Sequence, residues 1–167
     1  MEQIVNIFLV FIFYSFLGWC MESFGSIIYK GRFINRGFLI GPLCPVYGFG
    51  ILLVYYLLKG YLDEPIILFF MSIIICSFLE YFTSWIMEKL FHARWWDYSN
   101  RRFNINGRIC VDNSALFGVL SFIIMYNIHP TYLKVLDTID YNVLLVISII
   151  IFILLFIDTF VSVNIIS

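Results

Sequence analysis

With 167 residues, 62% hydrophobic, 20% aromatic and only 13% charged, the chain has too little polar surface to disperse in water. That excludes a soluble globular domain and points to an integral membrane protein. A formal net charge of −1 gives no reason to expect a nucleic-acid partner.

A helix needs about 20 apolar residues to cross the ~30 Å hydrocarbon core, and five stretches read as such spans. The first, residues 4–29, contains one charge, Glu22. It has neither the basic leader nor the small-residue exit of a cleavable signal, so it is expected to stay in the membrane. The second, residues 41–58, is uncharged but begins irregularly: residues 37–50 hold four glycines and two prolines. Proline removes a helical hydrogen bond and glycine permits bends and close approach, so Gly41, Pro42, Cys44 and Pro45 read as a bend lining a cavity.

The third span, residues 65–90, opens on Pro65, a residue suited to a first helical turn, and carries Glu80 inside it. Beyond it, Phe91, Trp95 and Tyr98 recur at helical spacing. This predicts an interfacial segment over about 91–104, a helix lying on the membrane surface with its basic groups near anionic lipid. The fourth span, residues 113–128, is short and is expected to close at Pro130, leaving His129 an ordinary loop residue. The fifth, residues 141–166, is interrupted by Asp158.

Basic residues set the orientation. Lys30, Arg32 and Arg36 follow the first span, and Lys89, Arg94, Arg101, Arg102 and Arg108 follow the third. Only Lys59 and Lys134 lie elsewhere. The predicted fold is therefore an all-α integral membrane bundle of about five transmembrane helices, N-terminus outside and C-terminus cytoplasmic, in a single domain. Trp19-Cys20-Met21-Glu22 is echoed by Trp85-Ile86-Met87-Glu88, and Arg32-Phe33, Gly37 and Gly48 by Arg102-Phe103, Gly107 and Gly118. The echo suggests two parallel two-helix repeats followed by a fifth helix.

Ionisable groups inside spans cost about 2.5–3.5 kcal/mol each on insertion scales, which makes them candidates for function. At 1.5 Å per residue, Glu22, Glu80 and Asp158 lie about 22–27 Å from the outer ends of their helices, in the cytoplasmic third of the bilayer. Glu88 reaches the inner boundary, where Arg36, Arg94 and Arg108 are candidate partners. One reading is a polar pocket facing the cytoplasm, formed by Glu22, Arg36, Gly41, Pro42, Cys44, Pro45, Glu80, Arg94, Asp97 and Arg108, which binds a headgroup, an ion or a polar solute. The other is that these charges anchor helix ends and fix the bundle. Trp95, Trp96, Tyr98, Arg101 and Arg102 read as a membrane-surface element or a docking face for a cytoplasmic partner.

Absent motifs narrow the chemistry. The chain has no G-x-x-x-x-G-K-[ST] loop for ATP hydrolysis, no H-E-x-x-H, no G-x-S-x-G and no Cys/His metal cluster. The four cysteines form no metal-site or disulfide spacing, and no cofactor or metal is expected.

Two long motifs resemble a bacterial family, the ABC-transporter type IV or CmpB-like proteins. The first comprises Asn35-Arg36-Gly37-Phe38-Leu39, Gly41-Pro42, Cys44-Pro45 and Tyr47-Gly48. The second runs from Leu79-Glu80-Tyr81 through Glu88-Lys89-Leu90-Phe91-His92 and Arg94-Trp95-Trp96-Asp97-Tyr98-Ser99 to Asn106-Gly107-Arg108-Ile109-Cys110, Asn113-Ser114 and Phe117-Gly118. Asp112 departs from the pattern where an apolar residue is expected. The resemblance implies a permease-like subunit of the bacterial cytoplasmic membrane, energised by a separate ATP-binding subunit. A non-transporting scaffold, and a membrane-embedded enzyme acting on lipid headgroups, remain alternatives, and association with further copies of the chain stays open.

Overall fold

The computed structural model describes residues 1–166. Among them are five helices: α1 Glu2–Lys30, α2 Pro45–Leu58, α3 Pro65–Phe91, α4 Val111–Asp137 and α5 Tyr141–Ile166. Four of these, all but α2, are long and apolar enough to cross a membrane. The expected second span is helical over 14 residues only, about 21 Å of rise. Proline and glycine hold residues 31–44 out of the helix, and a 3-10 turn, Lys59–Tyr61, follows it.

Helix ends follow local chemistry. Gly31 (φ 68°) adopts the left-handed conformation after α1 and donates its N–H to Ile27 O at 2.9 Å. His92 (φ 54°) closes α3 in the same way, on Glu88 O at 3.0 Å. That early cap corrects the expected interfacial helix over 91–104. Residues 92–103 are turns and irregular backbone, and Asn104–Ile105 pairs antiparallel with Ile109–Cys110. Asn106 (φ 53°) and Gly107 (φ 68°) supply the two positive φ angles that a type I′ turn requires, and Arg108 N–H donates to Ile105 O at 3.0 Å. The helical spacing of Phe91, Trp95 and Tyr98 was outweighed by this turn chemistry.

The fourth helix also departs from expectation, continuing through Pro130 to Asp137. A π turn over Ile124–Ile128 precedes the proline. Widening the ladder there accommodates a residue without an N–H and relieves its ring's clash with the preceding turn. His129 consequently lies in the helix, buried, with its ring 4.3 Å from that of Tyr55.

The chain divides into two compact units, Met1–Phe49 with the stretch from Val135 onward, and Gly50–Lys134. In the first, α1 packs on α5, with Phe8 and Phe152 in edge contact at 6.1 Å. In the second, α3 packs on α4 around a core of Val54, Leu58, Leu68, Cys76 and Met125. The pattern of burial differs from that of a soluble protein. Ser15, Ser23, Ser72, Ser121 and Ser162 are nearly inaccessible, whereas Phe70, Phe78, Phe152, Phe156 and Phe160 are exposed. Small residues let helix backbones approach and large apolar ones face lipid, as expected where hydrocarbon is the solvent.

Gly48 lies at one such close approach: a Cβ there would meet the Phe11 carbonyl oxygen at 2.5 Å, whereas one at Gly25 meets nothing within 4 Å. Gly48→Ala is expected to destabilise the protein by about 1–3 kcal/mol through overpacking. Gly25→Ala is expected to be neutral or slightly stabilising. Thermal unfolding of the detergent-solubilised variants measures the contrast.

Candidate functional site

The sequence-predicted site residues fall into two polar clusters, one in each unit. In the first unit, the segment after α1 folds back onto that helix because α1 offers it serine hydroxyls. Ser26 Oγ accepts Ile34 N–H at 2.9 Å and approaches Arg32 O at 3.0 Å, and Ser23 Oγ accepts Arg36 N–H at 3.2 Å. Trp19 Nε1–H donates to Asn35 Oδ1 at 2.5 Å, and Asn35 Nδ2 donates to Ile40 O at 2.7 Å. Cys44 N–H donates to Ser15 O at 2.9 Å, and the buried Cys44 thiol contacts Arg36 O at 3.3 Å. Pro45 then begins α2.

This fold-back places Arg36 Nη1 3.9 Å from Glu22 Oε2, while Tyr47 OH donates to Glu22 Oε1 at 2.6 Å. At the Gly41-Pro42 bend, the backbone N–H groups of Ile40 and Gly41 donate to the Asp158 carboxylate. The bend's amides therefore already have an anionic acceptor supplied by α5.

In the second unit, Glu80 is 6% exposed. Its Oε1 accepts from Tyr98 OH at 3.0 Å and from Asn113 Nδ2 at 3.0 Å, and Asn113 Nδ2 also reaches Tyr98 OH at 2.8 Å. Arg108, 8% exposed, donates to Ser84 Oγ at 3.1 Å and to Glu88, and lies over the Tyr81 ring at 5.7 Å. Glu88 also accepts from Arg94 Nε at 3.0 Å, so one carboxylate joins two arginines. Arg94 Nη1 reaches Asn106 O at 3.3 Å, and Trp96 Nε1–H donates to Arg108 O at 3.0 Å. The loop between α3 and α4 is thus clamped to the helix ends by charge and by backbone.

Asp97 serves the loop itself, accepting from Ser99 Oγ at 2.5 Å and Ser99 N–H at 2.9 Å. The Ser99 hydroxyl, then its backbone N–H, and then the Arg94 charge hold the Asp97 carboxyl below the ordinary carboxylate range. Glu88 in turn raises the already high pKa of Arg94. Of the residues expected to form a docking face, Trp96 and Tyr98 direct their polar groups inward, while Arg101 and Arg102 are exposed.

Two contributors, and the partner of a third, were not singled out from the sequence. Asn113 stands within a recognisable motif, but its contact with Glu80 spans 33 residues. Tyr47 was likewise visible only as a motif residue. Asp158 was noted as a charge within a span, and no local signal tied it to Gly41, 117 residues away. Among the described residues, no group of three or more His, Cys, Asp or Glu could hold a metal ion. Cys44, Cys76 and Cys110 are buried thiols.

Residues 9–163 match the family described as Putative ABC-transporter type IV, and the chain belongs to that family. No curated protein and no solved structure matches it. Together with four membrane-length apolar helices, the family identifies a membrane protein related to ABC transporters.

Two outcomes follow from the clamp around Glu88. Glu88→Gln should release the loop, raising amide hydrogen exchange at Tyr98 and Arg108 while leaving the middle of α3 unchanged. Asp97's folded pKa is depressed, so its contribution to the turn is complete above its unfolded value, near pH 4, and disappears as pH falls through the folded value. Ser99 amide protection, corrected for intrinsic exchange, should follow that acid loss, and Asp97→Asn should remove the pH dependence.

Proposed function

We propose that the chain is a permease-like subunit of the bacterial cytoplasmic membrane, energised by a separate ATP-hydrolysing protein. The observation that carries this reading is the family match over residues 9–163. The sequence contains no phosphate-binding loop of its own, which agrees with a division of labour between membrane and ATPase subunits. Buried polar clusters in otherwise apolar helices, such as Glu80 with Tyr98 and Asn113, are the kind of feature by which a membrane protein holds a polar solute.

The proposed topology has the N-terminus outside and the C-terminus in the cytoplasm, with α2 as the fifth crossing. Eight of the ten basic residues then share the cytoplasmic side. If α2 did not cross, the five basic residues following α3 would lie opposite the three following α1. The paired motifs support the two-repeat reading. Glu22 and Glu88, the last residues of the two Trp-x-Met-Glu motifs, each meet an arginine from the connection that follows their own helix.

We place the ATPase contact on the α3–α4 connection, with exposed Arg101 and Arg102 at its surface. Trp95, Trp96 and Tyr98 act behind them by holding the connection in place. Arg36, Pro42, Pro45, Arg94, Asp97 and Arg108 serve the polar sites by fixing the two connections around Glu22, Gly41 and Glu80.

A non-transporting scaffold or regulatory subunit is the second reading. The mutual pairing of Glu88, Arg94 and Arg108 favours it, because those charges are met within the chain. Glu80→Gln separates the two. A permease loses transport while membrane insertion and complex formation persist, whereas a scaffold changes its complexes.

Affinity purification from native membranes in mild detergent tests the primary proposal. A cytoplasmic ATPase should co-purify in stoichiometric amount and be lost from Arg101→Glu/Arg102→Glu protein. Recovery of the chain alone, or only with further copies of itself, would contradict an ABC-type assembly.

A further inference from the structure

Asp158 differs from Glu22 and Glu88 in what surrounds it. Glu22 and Glu88 meet arginines, whereas the Asp158 carboxylate is received by backbone. Its Oδ1 accepts N–H from Ile40 and from Gly41, each at 3.2 Å, and the Ser162 hydroxyl lies 3.3 Å away. Its Oδ2 accepts Gly41 N–H at 3.1 Å. Ser162 Oγ also lies 3.1 Å from Ile40 N, and Ser162 is 1% exposed.

Two successive amides aimed at one carboxylate, with a buried hydroxyl beside them, make an anion-binding concavity. Three sequence features build it. Residues 31–44 are not helical, so the amides of Ile40 and Gly41 are not taken up by a helical ladder. Pro42 disfavours helical backbone at Gly41, the residue before it. Gly41 permits the approach, since a Cβ at that position would lie 2.8 Å from Asp158 Oδ2. Charge-assisted hydrogen bonds from amides are stronger than neutral ones. Such donors offset much of the cost of a carboxylate within a span.

We infer that the backbone amides of Ile40 and Gly41 form a carboxylate-binding site, with Asp158 as its resident occupant in the resting chain. A carboxylate-bearing solute binds the same donors when α5 withdraws Asp158 from the bend. The donor set suits a carboxylate because the Gly41 amide reaches both oxygens while the Ile40 amide converges with it on one. Only the identification of the ligand as a transported solute rests on the permease reading; the site stands on its own geometry.

Chemical rescue tests the site without a transport assay. In the purified full chain, Asp158→Ala should lower the thermal unfolding midpoint. Sodium acetate or formate should restore that midpoint saturably, whereas equal sodium chloride or acetamide should not. Wild-type protein and Asp158→Asn, whose sites are filled, should show no acetate-specific response. Adding Gly41→Ala to Asp158→Ala should abolish the rescue. If Asp158→Ala protein folds only in acetate, dialysis should cost it its monodispersity, and indifference to dialysis would contradict the site. Acetate acting no better than chloride, or acting equally on Asp158→Asn, would overturn the inference. Rescue in a chain that proves to transport nothing would leave the carboxylate site standing and remove only the permease reading.

Discussion

Hydrocarbon cannot hydrogen-bond, so every polar group carried into a membrane helix must find its partner within the protein. That constraint accounts for most of the detail in this structure. The helices expose phenylalanine and isoleucine and turn serines inward. Their ends carry acids that would be costly if left to lipid, and the connecting segments supply what those acids need. The stretches after α1 and α3 act as folded ligands of the helices. Residues 31–44 bring Arg36 to Glu22 and two amides to Asp158, and residues 92–110 bring Tyr98 to Glu80 and Arg94 and Arg108 to Glu88.

The same constraint separates two kinds of buried acid. Glu88 joins two arginines at the end of α3, where its interactions fix a loop. Glu80 and Asp158 engage hydroxyl, amide and backbone donors inside otherwise apolar helices. Arginine clamps suit architecture, since removing one partner leaves a partly buried charge to be resolved. Sites built from neutral donors are better suited to exchange, because their donors can serve another ligand without stranding a cation. On this physical distinction the proposed solute sites are those of Glu80 and Asp158, while Glu88, Arg94 and Arg108 hold a loop in place.

Much of this was legible in the sequence. Four long spans, the Gly-Pro interruption before α2 and the arginines that could meet the acids all follow from hydropathy, backbone restriction and charge. The motifs around Asn35–Gly48 and Leu79–Gly118 also led to the family that the match over residues 9–163 identifies. What escaped the reading was either local geometry or distance. Periodicity at Phe91, Trp95 and Tyr98 suggested a helix, but the αL residue His92 and the Asn106-Gly107 turn imposed a clamped loop. Pro130 was read as a terminator, whereas the π turn before it let α4 continue to Asp137. Asp158 and Gly41 meet across 117 residues, and no pattern within a single sequence encodes that pairing.

The proposed topology puts the connections after α1 and α3 on the same, cytoplasmic side of the membrane, which site-directed labelling reports directly. With the four native cysteines replaced, single cysteines at Lys30, Gly60, Arg101 and Thr138 would be treated with a membrane-impermeant maleimide. The treatment would be applied to intact cells and to inside-out vesicles. Lys30→Cys and Arg101→Cys should label only in inside-out vesicles, and Gly60→Cys and Thr138→Cys only in intact cells. Labelling of Lys30→Cys and Arg101→Cys from opposite sides would mean that α2 does not cross, and would contradict the account at its base.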